Sequence, residues 1–133
     1  MRIGKLSFVT MLLICGAAWA EDQSCPIKVL SARAASQIPN IRFDYQNGTD
    51  KQIVASKFRY NFIDALGEET YASTGETIST SKVKPNEKKK DAVIYPVRVL
   101  ESMRPHVCPA TVKFADGTMW RDDGSRSCGT GAK

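Results

Sequence analysis

Apolar and polar residues alternate along much of this chain, and the alternation predicts strands. Residues 41–46 are the simplest case, because Ile, Phe and Tyr alternate there with Arg, Asp and Gln. In the longer stretch 52–63, Phe58, Tyr60 and Phe62 fall on one side of an extended chain, and charged and amide side chains fall on the other. A period of two residues is typical of a half-buried strand, whereas a helix would scatter these aromatic side chains around its axis.

Residues that favour turns separate the predicted strands, roughly every ten residues. Asn47-Gly48 and Asp116-Gly117 are tight-turn signals, because these residue types accept positive φ. Pro96 lies inside one alternating stretch and indicates an edge strand or a bulge, since proline donates no backbone hydrogen bond. The remaining predicted strands are 27–35, one or two polar, edge-like pieces within 70–83, and the stretches 93–99, 107–115 and 118–121.

About seven short strands without a helix predict an all-β fold, an antiparallel β-sandwich of two sheets. Neither a repeat nor a linker divides the chain, so we expect one domain over residues 21–122. Residues 123–133 are mostly glycine and polar, and we expect a flexible tail there unless Cys128 fixes it.

The first twenty residues have the pattern of a signal peptide. Arg2 and Lys5 precede an apolar run, and Ala18-Trp19-Ala20 supplies small residues at positions −3 and −1 of a cleavage site. The apolar run is shorter than the ~20 residues that span a bilayer. A lipoprotein would need a small residue before Cys15, where Ile14 stands. We therefore expect cleavage after residue 20 and a periplasmic or secreted protein that does not span a membrane.

The formal net charge is +5, from 19 basic and 14 acidic residues. Cleavage after residue 20 would remove two basic residues and no acidic ones, which leaves 17 − 14 = +3. A charge this small suits a soluble exported protein and predicts no polyanionic partner, so no specific nucleic acid is expected.

Three cysteines would remain after that cleavage, and three cysteines close at most one bridge within a monomer. Export favours a disulfide. Cys108 and Cys128 flank a predicted hairpin, so we favour that pair, while Cys25 with either of them stays open. The remaining thiol would be buried, exposed and reactive, or the link of a disulfide dimer.

One combination of these segments resembles a known domain family. "YQNGTDKQI" (45–53) leads into "FRYNFIDALGEE" (58–69), and "VKPNEKK" (83–89) follows a polar strand. The pattern is similar to the FxLYD-type and related small immunoglobulin-like domains of exported bacterial proteins, with Asp64 and Gly67 matching the motif. The resemblance implies an immunoglobulin-like antiparallel β-sandwich and a binding or accessory role, and it brings no catalytic residues.

The acidic residues Asp64, Glu68 and Glu69 lie close together after the long aromatic stretch. Asp-Ala-Leu-Gly is turn chemistry, in which the aspartate accepts hydrogen bonds from nearby amides and the glycine reverses the chain. No histidine or calcium-loop spacing accompanies them, so we interpret them as a strand end and not as an active site.

His106 is the only histidine, and it lies two residues from Cys108, so a strand would place both on one face. A Cys–His nucleophile needs that proximity, but the expected disulfide through Cys108 would remove the thiol. One histidine and scattered cysteines offer no metal-ligand spacing. We therefore predict no catalytic residue, no metal and no cofactor.

Two features are candidate contact sites for a partner. Lys88, Lys89 and Lys90 form a basic patch with two lysines just before them. We interpret the patch as a solvated loop that guards an edge strand, with contact to an anionic surface as the alternative. Trp120 is interpreted as core, and it would be a protein contact if it were exposed.

The sequence therefore predicts an exported, non-catalytic β-sandwich that acts as a binding or accessory module. Its partner would be another protein or a component of the cell envelope or surface. One alternative is an inhibitor of a hydrolase, in which a loop such as 84–90 or 116–123 plugs an active site. A small secreted hydrolase is a further alternative, for which the general acid, base and nucleophile are missing.

Overall fold

The computed structural model describes residues 24–35, 40–94 and 103–130. The predicted signal peptide, residues 1–20, lies outside the described residues, as do Pro96 and the end of the predicted strand 93–99.

Seven strands, and no helix, make up the regular structure of the described ranges. They are β1 (Ile27–Ala35), β2 (Asn40–Asn47), β3 (Ile53–Ile63), β4 (Glu69–Ser79), β5 (Lys88–Ile94), β6 (Arg104–Phe114) and β7 (Met119–Arg121). The polar stretch within 70–83 thus contains one strand, β4, at a sheet edge as predicted.

The strands form two sheets, with the orders β1-β2-β5 and β4-β3-β6-β7. Every pairing among them is antiparallel. Apolar side chains from both sheets pack together between them, which confirms the predicted antiparallel β-sandwich. The buried apolar side chains are Ile27, Ile41, Phe43, Tyr45, Ile53, Phe58, Tyr60, Phe62, Val83, Val93, Val107, Val112 and Phe114.

Three aromatic rings at the centre of the core join the two sheets. Phe43 and Tyr45 come from β2, and Phe58 comes from β3. The centroid of Phe58 lies 4.8 Å from that of Phe43 and 5.0 Å from that of Tyr45. Burying each such ring stabilises the fold by about 1.5–3 kcal/mol. These residues are the ones that the alternation assigned to the buried faces.

The acidic cluster after β3 is a turn, as predicted. The Asp64 carboxylate accepts hydrogen bonds from the amides of Leu66 and Glu68, both at 2.9 Å. Gly67 has a φ of 77°, a conformation that favours glycine. Because its carboxylate is held by these amides, Asp64 has a structural role at the strand end.

Asn47-Gly48 does not form the predicted tight turn. β2 and β3 belong to different sheets, so the chain crosses between sheets here instead of reversing within one. Asn47 is fully buried, and its amide donates to the carbonyls of Lys51 (2.7 Å) and Val83 (3.0 Å). Its side chain therefore satisfies buried carbonyl groups of the crossover, a role that asparagine also performs in loops.

The C-terminal segment, residues 122–130, lies along β6. The amide of Asp122 donates to the carbonyl of Ala110 at 3.0 Å, and the amide of Thr130 donates to that of Val107 at 3.1 Å. The flexible tail was expected only if Cys128 were unpaired, and Cys128 is buried in a disulfide.

The disulfide joins Cys25 and Cys128, whose Cα atoms are 5.5 Å apart. The favoured Cys108–Cys128 pair was wrong, and the alternative through Cys25 is correct. Cys108 lies in the middle of β6 and stays a buried free thiol. The two cysteines do flank a hairpin, but β7 ends at Arg121, and the chain then continues past β6 to Cys25, just before β1.

Candidate functional site

The core fills the space between the sheets, so a partner can reach only their outer faces and the loops. The outer face of β1-β2-β5 is the first candidate. Among the described residues, alternation along these strands brings together five cationic side chains and the carboxylate of Asp44. We call this surface the basic face, and its cations are Lys28, Arg33, Arg42, Lys88 and Lys90.

Arg33 and Arg42 lie directly opposite each other in the β1–β2 ladder. Neither forms an ion pair with any described residue. Asp44 accepts a hydrogen bond from Ser31 at 3.3 Å instead. Like charges directly opposite each other destabilise an antiparallel strand pair. The N–H donors of the two guanidinium groups are thus not used in an ion pair with any described residue.

Two hollows border this arginine pair. One, of about 280 Å³, extends along β1, and the other, of about 460 Å³, extends toward β5. Arg33, Arg42 and Asp44 line both, and the larger one is also lined by Lys90 and by a second carboxylate residue, Asp91. Planar guanidinium groups bind carboxylates and phosphates with two parallel hydrogen bonds, so the arrangement can bind anions.

The predicted lysine patch is divided between two sides of β5. Lys88 and Lys90 lie opposite Gln46 and Asp44 and belong to the basic face. Lys89 lies opposite the core residue Tyr45 and forms an ion pair with Glu87 at 3.9 Å. β5 is an edge strand, which agrees with the predicted guarding role of its lysines.

Trp120 packs against the core and is half-buried, opposite Val112 in the β6–β7 ladder. This packing agrees with the main interpretation of Trp120 as a core residue. Its strand neighbours Met119 and Arg121 face outward instead.

Cys108 and His106 lie together on the outer face of the β4-β3-β6-β7 sheet, under the C-terminal segment. Gly129 covers both so closely that a Cβ atom there would lie 2.6 Å from two atoms of the imidazole. A hollow of about 220 Å³ beside the thiol is lined by Arg59, Tyr60, Asn61, Thr74, Gly75, Glu76, Cys108 and Arg126.

Burial determines the protonation of both groups. Burial, with a contribution from Asp122, raises the pKa of the Cys108 thiol to about 11. Burial lowers the pKa of His106, the Arg126 charge lowers it further, and Glu69 opposes both. At neutral pH the pair is therefore a protonated thiol and a neutral imidazole. Because the thiolate is the reactive form, this thiol is a poor nucleophile at neutral pH, although the disulfide does not consume it.

No three His, Cys, Asp or Glu side chains in the described ranges are placed to hold a metal ion. None of the described residues forms a helix long and apolar enough to cross a membrane.

Sequence reasoning missed Lys28, Arg33 and Arg42 as parts of a surface. Each stands alone among small or apolar neighbours, so no run of charge marks it. The signal becomes visible only when β1 and β2 are paired as neighbours, since Arg33 and Arg42 then lie in register. The small net charge of the chain concealed a local excess of positive charge.

Comparisons with known proteins leave the function open. No family model matches this chain, and no curated protein matches it. One solved structure with some similarity is the "X-ray structure of Northeast Structural Genomics Consortium target SoR45". The match has a TM-score of 0.37 and 9% sequence identity, and it covers 71% of this chain and 74% of that chain.

Proposed function

We propose that this protein is an exported, non-catalytic binding module that recognises a ligand carrying carboxylate or phosphate groups through its basic face. The observation that carries the proposal is the arginine pair Arg33–Arg42, two like charges in register that form no ion pair with any described residue. An unfavourable charge pair of this kind is explained if a ligand supplies the missing negative charge.

The ligand class follows from what the basic face contains. Its cations belong to three neighbouring strands, so they form a surface and not a single pocket. No described aromatic side chain accompanies them on the basic face, and binding of single-stranded nucleic acid usually needs aromatic stacking. An envelope component or another protein that presents carboxylates or phosphates fits this surface better.

Two further observations support an immunoglobulin-like fold and an exported protein. The first, second and fifth strands share one sheet, while the third, sixth and seventh share the other, as in immunoglobulin-like sandwiches. The fourth strand differs from the constant-domain arrangement, because it pairs with the third. The disulfide between Cys25 and Cys128 favours an oxidising compartment, such as the periplasm or the exterior.

A charge-reversal experiment tests the proposal. The variant R33E/R42E would be compared with K113E/R121E, which makes the same change in charge on the other sheet. Binding would be measured with polygalacturonate and with phosphatidylglycerol vesicles, at low and high salt. We expect salt-sensitive binding to at least one probe, about tenfold weaker in R33E/R42E and within twofold of wild type in K113E/R121E. Equal losses in both variants, or no binding to either probe, would overturn the proposal.

A hydrolase inhibitor is the second candidate, and one observation favours it. The exposed hairpin loop between β6 and β7 is fixed by Asp116, whose carboxylate accepts from the amide of Thr118 at 2.9 Å and pairs with Lys51 at 3.0 Å. Such a preorganised loop can enter an active site at small entropic cost. Inhibition of a peptidase or glycosidase in a panel, lost in D116A, would support this function.

A further inference from the structure

Two large apolar side chains are exposed on the outer face of the four-stranded sheet. Ile78 on β4 is 67% exposed, and Met119 on β7 is 50% exposed. Ile78 lies opposite Lys57, and Met119 lies opposite Lys113, so the two apolar side chains flank the central strands β3 and β6. Between them lies a hollow of about 270 Å³, which we call the Met119 hollow.

The Met119 hollow has an apolar floor and a cationic rim. Its lining residues include three cations and no carboxylate, and they are Ala55, Ser56, Lys57, Ile78, Thr111, Lys113, Met119 and Arg121. Lys57 is partly neutralised by Glu76, at 3.9 Å. Lys113 and Arg121 form no ion pair with any described residue. An occupant must therefore combine an apolar group with negative charge.

The size of the hollow indicates what kind of occupant fits. Pockets for drug-sized ligands measure about 300–1,000 Å³ and enclose most of the ligand, whereas this hollow is smaller and lies open on a sheet face. A single apolar side chain of a larger partner fits it better than a whole small molecule. Methionine and arginine are both enriched in protein interfaces, where an apolar centre is surrounded by a polar rim.

A second copy of this chain does not suit the surface. In a twofold symmetric dimer the same face meets itself, so the cations of one copy would oppose those of the other. Like charges facing each other across an interface disfavour the complex. The charge on the rim instead complements an acidic partner.

We propose that the Met119 hollow binds an acidic segment of a partner protein. One apolar side chain of that segment enters between Ile78 and Met119, and flanking carboxylates bind Lys113 and Arg121. This site is separate from the basic face, because it lies on the outer side of the other sheet.

The test uses synthetic peptides in which a central leucine is flanked by glutamates on both sides. Matched peptides replace the leucine with alanine, or the glutamates with lysines. Affinity is measured by fluorescence anisotropy, and the contact residues are located by NMR of the Ile78 and Met119 methyl groups. We expect the acidic leucine peptide to bind most tightly, the alanine peptide to bind at least fivefold more weakly, and the lysine peptide not to bind.

Three variants assign the site. K113E/R121E should weaken binding of the acidic leucine peptide at least tenfold, and M119Q should weaken it severalfold. R33E/R42E should leave it within twofold of wild type, which separates this proposal from that for the basic face. Urea denaturation of each variant checks that the exposed substitutions leave the fold intact.

Several results would overturn the proposal. An unchanged affinity in K113E/R121E, or a loss in R33E/R42E alone, would assign peptide binding elsewhere. Equal affinity for the leucine and alanine peptides would show that the hollow accepts no side chain. If phosphatidylglycerol vesicles bound wild type but not K113E/R121E while the peptide did not bind, the surface would be a lipid contact.

Discussion

The Cys25–Cys128 disulfide gives the sharpest quantitative prediction, because it joins residues 103 positions apart and so closes nearly the whole domain into a loop. In the chain-entropy model, closing a loop of about 100 residues stabilises the folded state by about 4.7 kcal/mol, and measured losses are about 2–5 kcal/mol. Replacing both cysteines in C25A/C128A should therefore lower the free energy of unfolding by about 3–5 kcal/mol. Since domains of this size are stable by only about 5–15 kcal/mol, the loss would be large.

Urea denaturation measures this loss, with the fluorescence of the half-buried Trp120 as one probe and circular dichroism as another. The denaturant slope should also rise, because an unfolded chain without the cross-link exposes more surface. The matched control is C108A, which removes a buried thiol and leaves the disulfide. A small buried cavity of this kind should cost about 1 kcal/mol.

The Cys25–Cys128 pairing also predicts a thiol-labelling result. In the exported protein without its predicted signal peptide, Cys108 should be the single free thiol. Because it is buried and its pKa is raised to about 11, alkylation should be slow in the native protein and should add one group after unfolding. If C108A were as costly as C25A/C128A, or if Cys25 were the residue alkylated, the assigned pairing would be refuted.

Two other predictions concern His106 and Gly75, which both belong to the β4-β3-β6-β7 sheet. Burial lowers the pKa of His106, so below pH 6.5 the unfolded chain takes up a proton that the folded chain does not. The free energy of unfolding should therefore fall as the pH is lowered, by at most about 1.4 kcal/mol per pH unit. In urea titrations, H106Q should lose the part of this pH dependence that begins below pH 6.5, and an unchanged dependence of stability on pH would contradict the prediction. Replacing a glycine inside a strand with alanine usually stabilises the fold. At Gly75, however, a Cβ would collide with the Tyr60 hydroxyl, so G75A should lower the free energy of unfolding by about 1–3 kcal/mol. A double-mutant cycle with Y60L should recover most of that cost, and additive effects would show that the contact is absent.

The sandwich could be predicted from the sequence because each strand has one buried face. The alternation in 41–46 and 58–62 placed the central aromatic side chains correctly, and it did so without knowledge of which strands pair. Asp64 was also assigned correctly, since an aspartate that caps a turn acts on amides only two and four residues away. Interactions between residues this close along the chain can be predicted from the sequence alone.

Features that depend on pairing or register could not be predicted in this way. A strict alternation through Phe58, Tyr60 and Phe62 would bury Val54 and expose Ile53. A register shift at the start of β3 instead leaves Ile53 fully buried and Val54 half-buried. Asn47-Gly48 has the sequence of a hairpin turn, but the chain crosses there to the other sheet. The disulfide partner of Cys128 depends on where the segment after β7 goes, and no local pattern determines that.

Cations dominate both outer faces partly because several acidic residues lie in turns instead of on the sheets. Carboxylates accept hydrogen bonds from turn amides at the ends of strands, as Asp64, Asp116, Asp122 and Asp123 do. These acids therefore lie in loops, away from the cations in the middle of the sheets. Guarding against aggregation would explain lysines on an edge strand such as β5. It does not explain Arg42 on the central strand β2, or Lys57 and Lys113 on the central strands beside the Met119 hollow. These cations favour the proposed recognition of acidic ligands.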